Sequence, residues 1–219
     1  MPLFALDKKI VFPPGHLAEP DGLLAIGGDL SIQRLLLAYR SGIFPWYEGD
    51  HILWWCPDPR FVLFPSELKV SKSMRSLLKK GSFQFSTDKA FKQVVDNCKT
   101  IQRKDQDGTW ITPEVKNAFN RLHEAGFAHS AEAWLNGELV GGLYGVRLGK
   151  VFFGESMFSI VSNASKFAFT CYVEEMIKEG IQLIDCQVYT EHLESLGARM
   201  IDRSEFLKLL KVNVDSVTI

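Results

Sequence analysis

The sequence lacks any apolar run long enough to cross a bilayer, which takes about 20 residues in a helix. Its first apolar residues are interrupted at Asp7, Lys8 and Lys9, so we expect no signal peptide. Only four cysteines occur in 219 residues, and none belongs to a C-x-x-C pair. We therefore expect a cytoplasmic protein with reduced thiols, no metal and no membrane association.

The motifs of several common enzyme sites are also missing. The sequence has no G-x-x-x-x-G-K-[ST] phosphate loop, no G-x-G-x-x-G dinucleotide turn, no G-x-S-x-G nucleophile elbow and no H-E-x-x-H metal helix. The five histidines are scattered, which favours structural or surface roles over metal ligation. Any catalytic chemistry must therefore come from other residues.

Charge is balanced overall but uneven along the chain. The net charge is −1, yet residues 69–104 carry ten Lys or Arg and only two Asp or Glu, a local charge of +8. Such asymmetry is typical either of a polyanion-binding surface or of solvated helix faces. The first interpretation makes nucleic acid a candidate partner.

Secondary-structure signals indicate an α+β protein with a mixed sheet. Residues 1–60 are rich in Pro, Gly and Trp around one helix, which Ser31 caps and Gly42 follows. Further helices are predicted at 72–80, 88–99, 113–125 and 163–179, with Ser71, Thr87, Thr112 and Ser162 as their N-caps. Strands are predicted at 128–135, 138–147, 151–158 and 181–188, and Asn136-Gly137 predicts a hairpin between the first two. A meander followed by strand–helix–strand fits N-acetyltransferase-like domains and several unrelated folds.

Two apolar strands carry unexpected polar side chains. Glu155 is the only acid in its strand, where alternation predicts that it shares one face with Phe153 and Met157. It either receives a substrate cation or faces solvent at a sheet edge. Asp185 and Gln187 are predicted to share a face of the next strand. They either orient an amine and receive its proton or cap the helix that follows.

Two further groups suit a nucleic acid. Asn163, Ser165 and Lys166 open the longest predicted helix, where exposed N–H groups and a lysine would hold a phosphate. Plain N-capping explains this segment equally well without a ligand. Trp46 and Trp110 lie in loop-like segments and either stack on bases or pack between two domains.

Eight motifs occur together in a fixed order. They are LLAIGGDL at 23–30, GIFPW at 42–46, WWCPDPR at 54–60, GTWIT at 108–112, GGLYG at 141–145, FGESMFS at 153–159, NASK at 163–166 and IDCQ at 184–187. From about residue 12 to 210 the chain resembles the leucyl/phenylalanyl-tRNA–protein transferase family. The resemblance implies transfer of Leu or Phe, and less efficiently Met, from tRNA to proteins that begin with Arg or Lys, which marks them for degradation.

The resemblance also implies an architecture and a set of partners. A small N-terminal α/β domain is expected at 1–60 and an N-acetyltransferase-like (GNAT) domain at 61–219. Aminoacyl-tRNA replaces acetyl-CoA as the acyl donor, and the Gln/Arg-x-x-Gly-x-Gly/Ala loop typical of coenzyme A sites is indeed absent. We therefore expect no cofactor, no metal and a monomeric protein.

The resemblance assigns roles to individual residues. Asp185 and Gln187 are implied to orient the acceptor amine, and Glu155 to sense the basic acceptor. Trp46 and Trp110 are implied to surround the terminal adenosine. Candidates for the pocket around the transferred side chain are Leu143, Phe152, Met157, Phe169, Tyr172, Met176 and Ile184. Candidates for tRNA binding are Arg75, Lys79, Lys80, Asn163, Ser165 and Lys166.

Two alternatives stay open. One is a catalytically silent RNA-binding or adaptor protein that keeps the fold, although the polar groups of both strands argue against it. The other is a peptidyl transferase that uses aminoacyl-tRNA for cell-wall or small-molecule synthesis. It would share the donor but not the acceptor.

The basic segment generates a prediction about salt. Replacing Arg75, Lys79 and Lys80 together should flatten the dependence of tRNA affinity on salt, because each phosphate contact contributes about one unit of slope. Binding titrations at several salt concentrations measure this slope, and tRNAs with different anticodons should behave alike. An unchanged slope would assign the segment to solvated faces.

Overall fold

A computed structural model describes residues 3–100 and 110–214 of the chain. It has two sheets and seven α-helices within these ranges, which confirms the predicted α+β class. Arg103 and Lys104 of the basic segment lie outside the described residues, as do Gly108 and Thr109 of the GTWIT motif. In the described ranges no helix is long and apolar enough to cross a membrane.

The first sheet contains four short strands from the N-terminal part of the chain. They are β1 (Phe4–Leu6), β2 (Leu23–Gly27), β3 (Phe44–Pro45) and β4 (Leu53–Trp55), in the order β1-β2-β4-β3. Helix α1 (Ile32–Arg40) connects β2 to β3. The Ser31 hydroxyl accepts a hydrogen bond from the backbone N–H of Arg34, which confirms Ser31 as the N-cap.

The second sheet contains seven strands and is mixed. They are β5 (Arg60–Leu63), β6 (Gln84–Thr87), β7 (Ala128–Leu135), β8 (Glu138–Leu148), β9 (Val151–Ser159), β10 (Leu183–Gln187) and β11 (Arg199–Ile201). The order is β11-β5-β10-β9-β8-β7-β6, and only β9 and β10 pair in parallel. The meander followed by strand–helix–strand is thereby confirmed.

Six helices accompany the second sheet. They are α2 (Lys72–Lys80), α3 (Phe91–Thr100), α4 (Pro113–Glu124), α5 (Ala164–Lys178), α6 (Glu191–Ser195) and α7 (Arg203–Asn213). Two 3₁₀ turns, at Gly15–Leu17 and Pro65–Glu67, complete the regular elements of the described ranges. Helix α5 is the crossover that makes the β9–β10 pair parallel, since parallel neighbours need a long connection.

Local signals located several boundaries correctly. Ser71 and Thr112 cap α2 and α4 through their hydroxyls. Asn136 and Gly137 both have positive φ, 53° and 83°, as a tight hairpin between β7 and β8 requires.

Two predicted caps are wrong. Thr87 ends β6, and α3 begins only at Phe91, because Asp88 adopts a φ of 55° and its carboxylate accepts the N–H of Ser130 on β7. Asn163, not Ser162, precedes α5, with a φ of 67° and no side-chain cap. The N–H of Ser165 instead donates to Ser159 at the end of β9.

The hydrophobic core has two parts, one on each face of the second sheet. One face packs against α5, where Phe152 and Phe169 are buried. The other face carries Phe153 and continues without interruption into the N-terminal part through Tyr39 and Trp54. The first sheet ends at Trp55 and the second begins at Arg60, next to the expected boundary, but a single apolar core joins the two.

A close approach between β8 and α5 yields a stability prediction. A Cβ on Gly141 would lie 2.5 Å from the Ala164 Cβ and 2.7 Å from its carbonyl carbon. Gly141→Ala should therefore lower the unfolding free energy by about 1–3 kcal/mol. Gly154→Ala is the control, because its nearest contact would be 3.6 Å away. Urea unfolding of both variants measures the difference, and equal stabilities would contradict the packing argument.

Candidate functional site

A cleft of about 480 Å³ opens where β9 and β10 separate. Their parallel pairing stops at Phe153 and Asp185, although β9 continues to Ser159 and β10 to Gln187. Residues of β8, β9, β10, the start of α5 and α6 line the space between them. This volume suits a small molecule or the end of a larger one.

A β-bulge turns Glu155 into this cleft. Pairing between β8 and β9 shifts so that Gly145 faces Gly154 while Tyr144 faces Ser156, leaving Glu155 without a partner position. Strand residues before and after the bulge therefore point to different faces than simple alternation predicts. Phe153 packs in the core that contains Tyr39, whereas Met157 packs against the core beneath α5. The prediction that Glu155 shares a face with both is wrong for this reason.

Two hydrogen bonds hold the Glu155 carboxyl group. Its Oε1 accepts from the Tyr39 hydroxyl at 2.7 Å and from the Gln187 Nε2 at 3.0 Å. Burial raises the pKa of Glu155 to about 8, and the Asp185 charge acts in the same direction. The two hydrogen bonds and Arg60 oppose this shift. The interpretation of Glu155 as a solvent-facing edge residue does not apply, because β9 lies between β8 and β10 inside the sheet and the half-buried side chain lines the cleft.

Asp185 forms a buried ion pair with Arg60. The guanidinium donates from Nε at 2.8 Å and from Nη2 at 2.7 Å to the two carboxylate oxygens, and both side chains are shielded from water. The rings of Phe44 and Phe206 lie 4.7 and 4.6 Å from the guanidinium carbon. Both Asp185 oxygens are thus engaged, which leaves this carboxylate little capacity to bind an amine directly.

The same carboxylate fixes the backbone of Gln187. Its Oδ1 also accepts the Gln187 N–H at 2.9 Å, and Gln187 has a φ of 64°. That conformation is costly for a residue with a side chain, and it persists only when surrounding contacts impose it. The register of β10 against β5 is irregular between Asp185 and Gln187, so simple alternation does not describe this segment.

The apolar wall of the cleft contains four of the seven predicted pocket residues. They are Leu143, Met157, Phe169 and Ile184. The other three, Phe152, Tyr172 and Met176, do not line the cleft and are buried in the core beneath α5. The rings of Phe152 and Tyr172 pack edge to face with 5.2 Å between centroids, so these residues support the wall from behind.

The two predicted aromatic residues, Trp46 and Trp110, do not lie at the cleft. Trp46 is 37% exposed and packs against Trp55, which donates its Nε1–H to the Trp46 carbonyl at 2.6 Å. Trp110 is only 7% exposed and belongs to the apolar core. Neither residue lines the cleft of the described chain.

The predicted tRNA-binding residues fall into two groups. Ser165 lines the cleft at the start of α5, with Asn163 and Lys166 beside it in sequence. Arg75, Lys79 and Lys80 are exposed on α2. The structure therefore places a polar helix start at the cleft and a basic helix face elsewhere.

Sequence reasoning missed three residues of this site. Tyr39 and Arg60 bind the two carboxylates, but no local signal connects them to residues more than 100 positions away. His192 lines the cleft from α6, but in the sequence it is only one of five scattered histidines. Within the described ranges, no group of three His, Cys, Asp or Glu side chains could hold a metal ion.

Comparison with known proteins gives consistent matches. A family model described as "Leucyl/phenylalanyl-tRNA protein transferase" matches residues 62–211, and its N-terminal domain model matches residues 28–58. A "Leucyl/phenylalanyl-tRNA--protein transferase" of Syntrophobacter fumaroxidans is 56% identical over 99% of this chain and 93% of its own length. The protein of that name from Nitrosospira multiformis is 57% identical over 94% and 90%.

A solved structure is also similar in outline. A GCN5-related N-acetyltransferase from Kribbella flavida aligns with a TM-score of 0.39 and 10% identity, covering 75% of this chain and 58% of that one.

The raised pKa of Glu155 predicts how stability depends on pH. Glu155 keeps its proton to about pH 8 when folded but loses it near 4.5 when unfolded. The folded state binds more protons between these values, so this contribution is complete below pH 4.5 and is lost as pH rises toward 8. The loss is at most about 1.4 kcal/mol per pH unit.

Urea unfolding of the wild type and of Glu155→Gln at several pH values measures this effect. The glutamine cannot titrate, so the variant should gain stability relative to the wild type as pH rises from about 5 to 8. All other titrating groups are common to both proteins and cancel in the difference. A difference that stays constant across this range would show that Glu155 titrates normally.

Proposed function

The chain belongs to the leucyl/phenylalanyl-tRNA–protein transferase family, and we propose that it transfers Leu or Phe from aminoacyl-tRNA to proteins whose N-terminal residue is Arg or Lys. The new N-terminal residue marks the acceptor for degradation. The observation that carries this proposal is one cleft with an apolar wall and a half-buried carboxyl group, Glu155, held by Tyr39 and Gln187.

The apolar wall suits the side chain of the donor amino acid. Leu143, Met157, Phe169 and Ile184 offer flat or flexible apolar surfaces of the kind that Leu, Phe and Met side chains fill. Such a wall discriminates weakly among apolar side chains of similar size, because one methylene changes binding by only about 1–3 kcal/mol. Met is therefore an acceptable donor as well.

We assign the nucleotide part of the donor to surfaces around the cleft. Exposed Trp46 can stack on the terminal adenosine, whereas Trp110 is packed in the core. Ser165 and Lys166 at the start of α5 face the last phosphates, and the basic face of α2 binds phosphates farther along the tRNA. Phosphate contacts of this kind position the tRNA without reading its sequence.

The chemistry requires little more than positioning and one proton acceptor. The donor is an activated ester, so the neutral acceptor amine attacks the carbonyl, the C–N bond forms, the ester C–O bond breaks, and a second proton from the amine passes to the departing ribose oxygen. The amine must first lose a proton. The pKa of Glu155, about 8, is close to that of a peptide α-amine, about 7.7–8.0, so transfer between the two is nearly isoenergetic.

Two residues take other roles than those expected from the sequence. Glu155 becomes the group that receives the amine's proton, and Gln187 orients the Glu155 carboxyl group. Asp185 acts through Arg60 and the backbone of Gln187 as a positioning residue. Before it takes the proton, the ionised Glu155 carboxylate also favours a cationic acceptor, which keeps its expected part in acceptor selection.

The remaining features of the proposal follow from the reaction. Ester aminolysis needs no redox cofactor and no metal, so we propose that the protein uses neither. The partners are aminoacyl-tRNA and acceptor proteins. We further propose that it acts as a monomer in the cytoplasm, where both substrates occur.

The proposal is tested by transfer from radiolabelled Leu-tRNA to a peptide that begins with Arg and contains no Lys. Glu155→Gln should lower kcat about 100-fold or more, because general base catalysis contributes about 10²–10⁴. Donor KM should change little. Glu138→Gln is the matched control, since Glu138 is exposed at the β7–β8 turn, and it should keep full activity.

The acceptor arm separates the alternatives. The N-acetylated form of the Arg-initiated peptide should not react, and a peptide whose first residue is neutral should react poorly. Retention of tRNA without any transfer would indicate an RNA-binding protein. Transfer to a Lys side chain of an N-acetylated peptide would indicate a peptidyl transferase of another class.

A further inference from the structure

The cleft leaves one edge of β9 without a neighbouring strand. β9 pairs with β10 only from Val151 to Phe153, whereas its pairing with β8 continues to Ser159. From Glu155 to Ser159 the edge that faces the cleft therefore has no strand beside it among the described residues. The backbone N–H and C=O groups along such an edge form a template for another extended chain.

Two distortions, one on each strand, hold this edge open. The bulge at Glu155 bends β9, and Gln187, with its φ of 64°, ends β10. Asp185 imposes the second distortion by accepting the N–H of Gln187 at 2.9 Å. The exposed Val188 that follows lines the cleft. Such distortions are costly and concentrate at functional sites, so the gap is a built feature of the sheet.

We propose that the first residues of the acceptor protein bind along this edge as an added parallel strand, with their α-amine at Glu155. This inference rests on the proposed function. The strand pairs from Val151 to Phe153 close the cleft on one side of Glu155, so a chain that starts there runs toward Ser159, in the direction of β9. The distance along β9 from Glu155 to Ser159 is about 13 Å, which matches about four acceptor residues.

A polypeptide is the substrate whose chemistry fits an open strand edge. Its main chain repeats one N–H and one C=O per residue at the spacing that a strand also has. The nucleotide end of the donor has no such repeat. Acceptor proteins have only a first Arg or Lys in common, so the residues behind it must be held without regard to their side chains. Main-chain hydrogen bonds to a strand edge do this.

The added strand leaves room for the donor. Met157 and Phe169 belong to the core on the α5 face of the sheet, and Ser165 lies at the start of α5. The donor's side chain and last phosphates are assigned to this face. A strand beside β9 lies in the plane of the sheet instead. The two substrates therefore approach Glu155 from different directions and meet only there.

The experiment uses the wild-type protein and a series of acceptor peptides. Each peptide begins with Arg and is about twice as long as the open edge. In each, a single backbone N–H behind the first residue is replaced by an ester oxygen, which removes one hydrogen-bond donor and leaves every side chain in place. Transfer from Leu-tRNA at several peptide concentrations gives kcat and peptide KM, and transfer at several tRNA concentrations gives donor KM.

The effect should alternate along the first four residues behind Arg. An ester at every second position should raise peptide KM about 3- to 10-fold, the range of one uncharged hydrogen bond, because successive N–H groups of a strand point to opposite sides. The positions between them should behave like the unmodified peptide. Esters farther along the peptide are the matched control and should have no effect. Donor KM should stay the same throughout.

Proline gives a second measurement on the same positions. It also lacks the N–H, so proline at an affected position should raise peptide KM at least as much as the ester does. Alanine at that position is its control.

Three results would overturn the inference. They are equal use of all ester peptides, an equal loss at every position, and losses at consecutive positions, which would indicate contact with a surface and not with a strand edge. Absence of transfer to the unmodified peptide would instead refute the proposed function itself.

Discussion

The buried ion pair between Arg60 and Asp185 is the constraint on which the whole site depends. Two parallel hydrogen bonds join β5 to β10 at the point where β10 separates from β9. Charges removed from water are tolerated only when their polar atoms are well paired, and here aromatic rings also cover the guanidinium. The pair therefore holds Gln187 in a left-handed conformation that an isolated strand would not adopt.

A second dependence joins the N-terminal part to the cleft. Tyr39 projects from α1 and completes the hydrogen bonding of Glu155 on the second sheet. Its ring also packs against Phe153, 5.1 Å between centroids. Burial raises the pKa of Glu155, and the hydrogen bonds from Tyr39 and Gln187 oppose this rise because they stabilise the ionised form. Helix α1 of the N-terminal part thus contributes a hydrogen bond directly to the carboxyl group in the cleft.

Predictions from the sequence were correct for features that depend on residues only a few positions apart. Ser31, Thr112 and the Asn136-Gly137 turn act through contacts within a few positions, so their elements were located correctly. The orientation of Glu155 depends on a bulge, and the conformation of Gln187 on a carboxylate pair formed across strands. Such features arise from tertiary packing, which overrides the period-two pattern of a strand.

The separation of Arg60 and Asp185 along the chain also affects how the protein is made. The two residues are 125 positions apart. At about 5–20 residues per second, a ribosome takes roughly 6–25 s to add the later residue after the earlier one. Throughout that interval the Arg60 guanidinium has no native carboxylate to meet and stays hydrated. The cleft is lined by β10 and therefore cannot form until that strand has been synthesised.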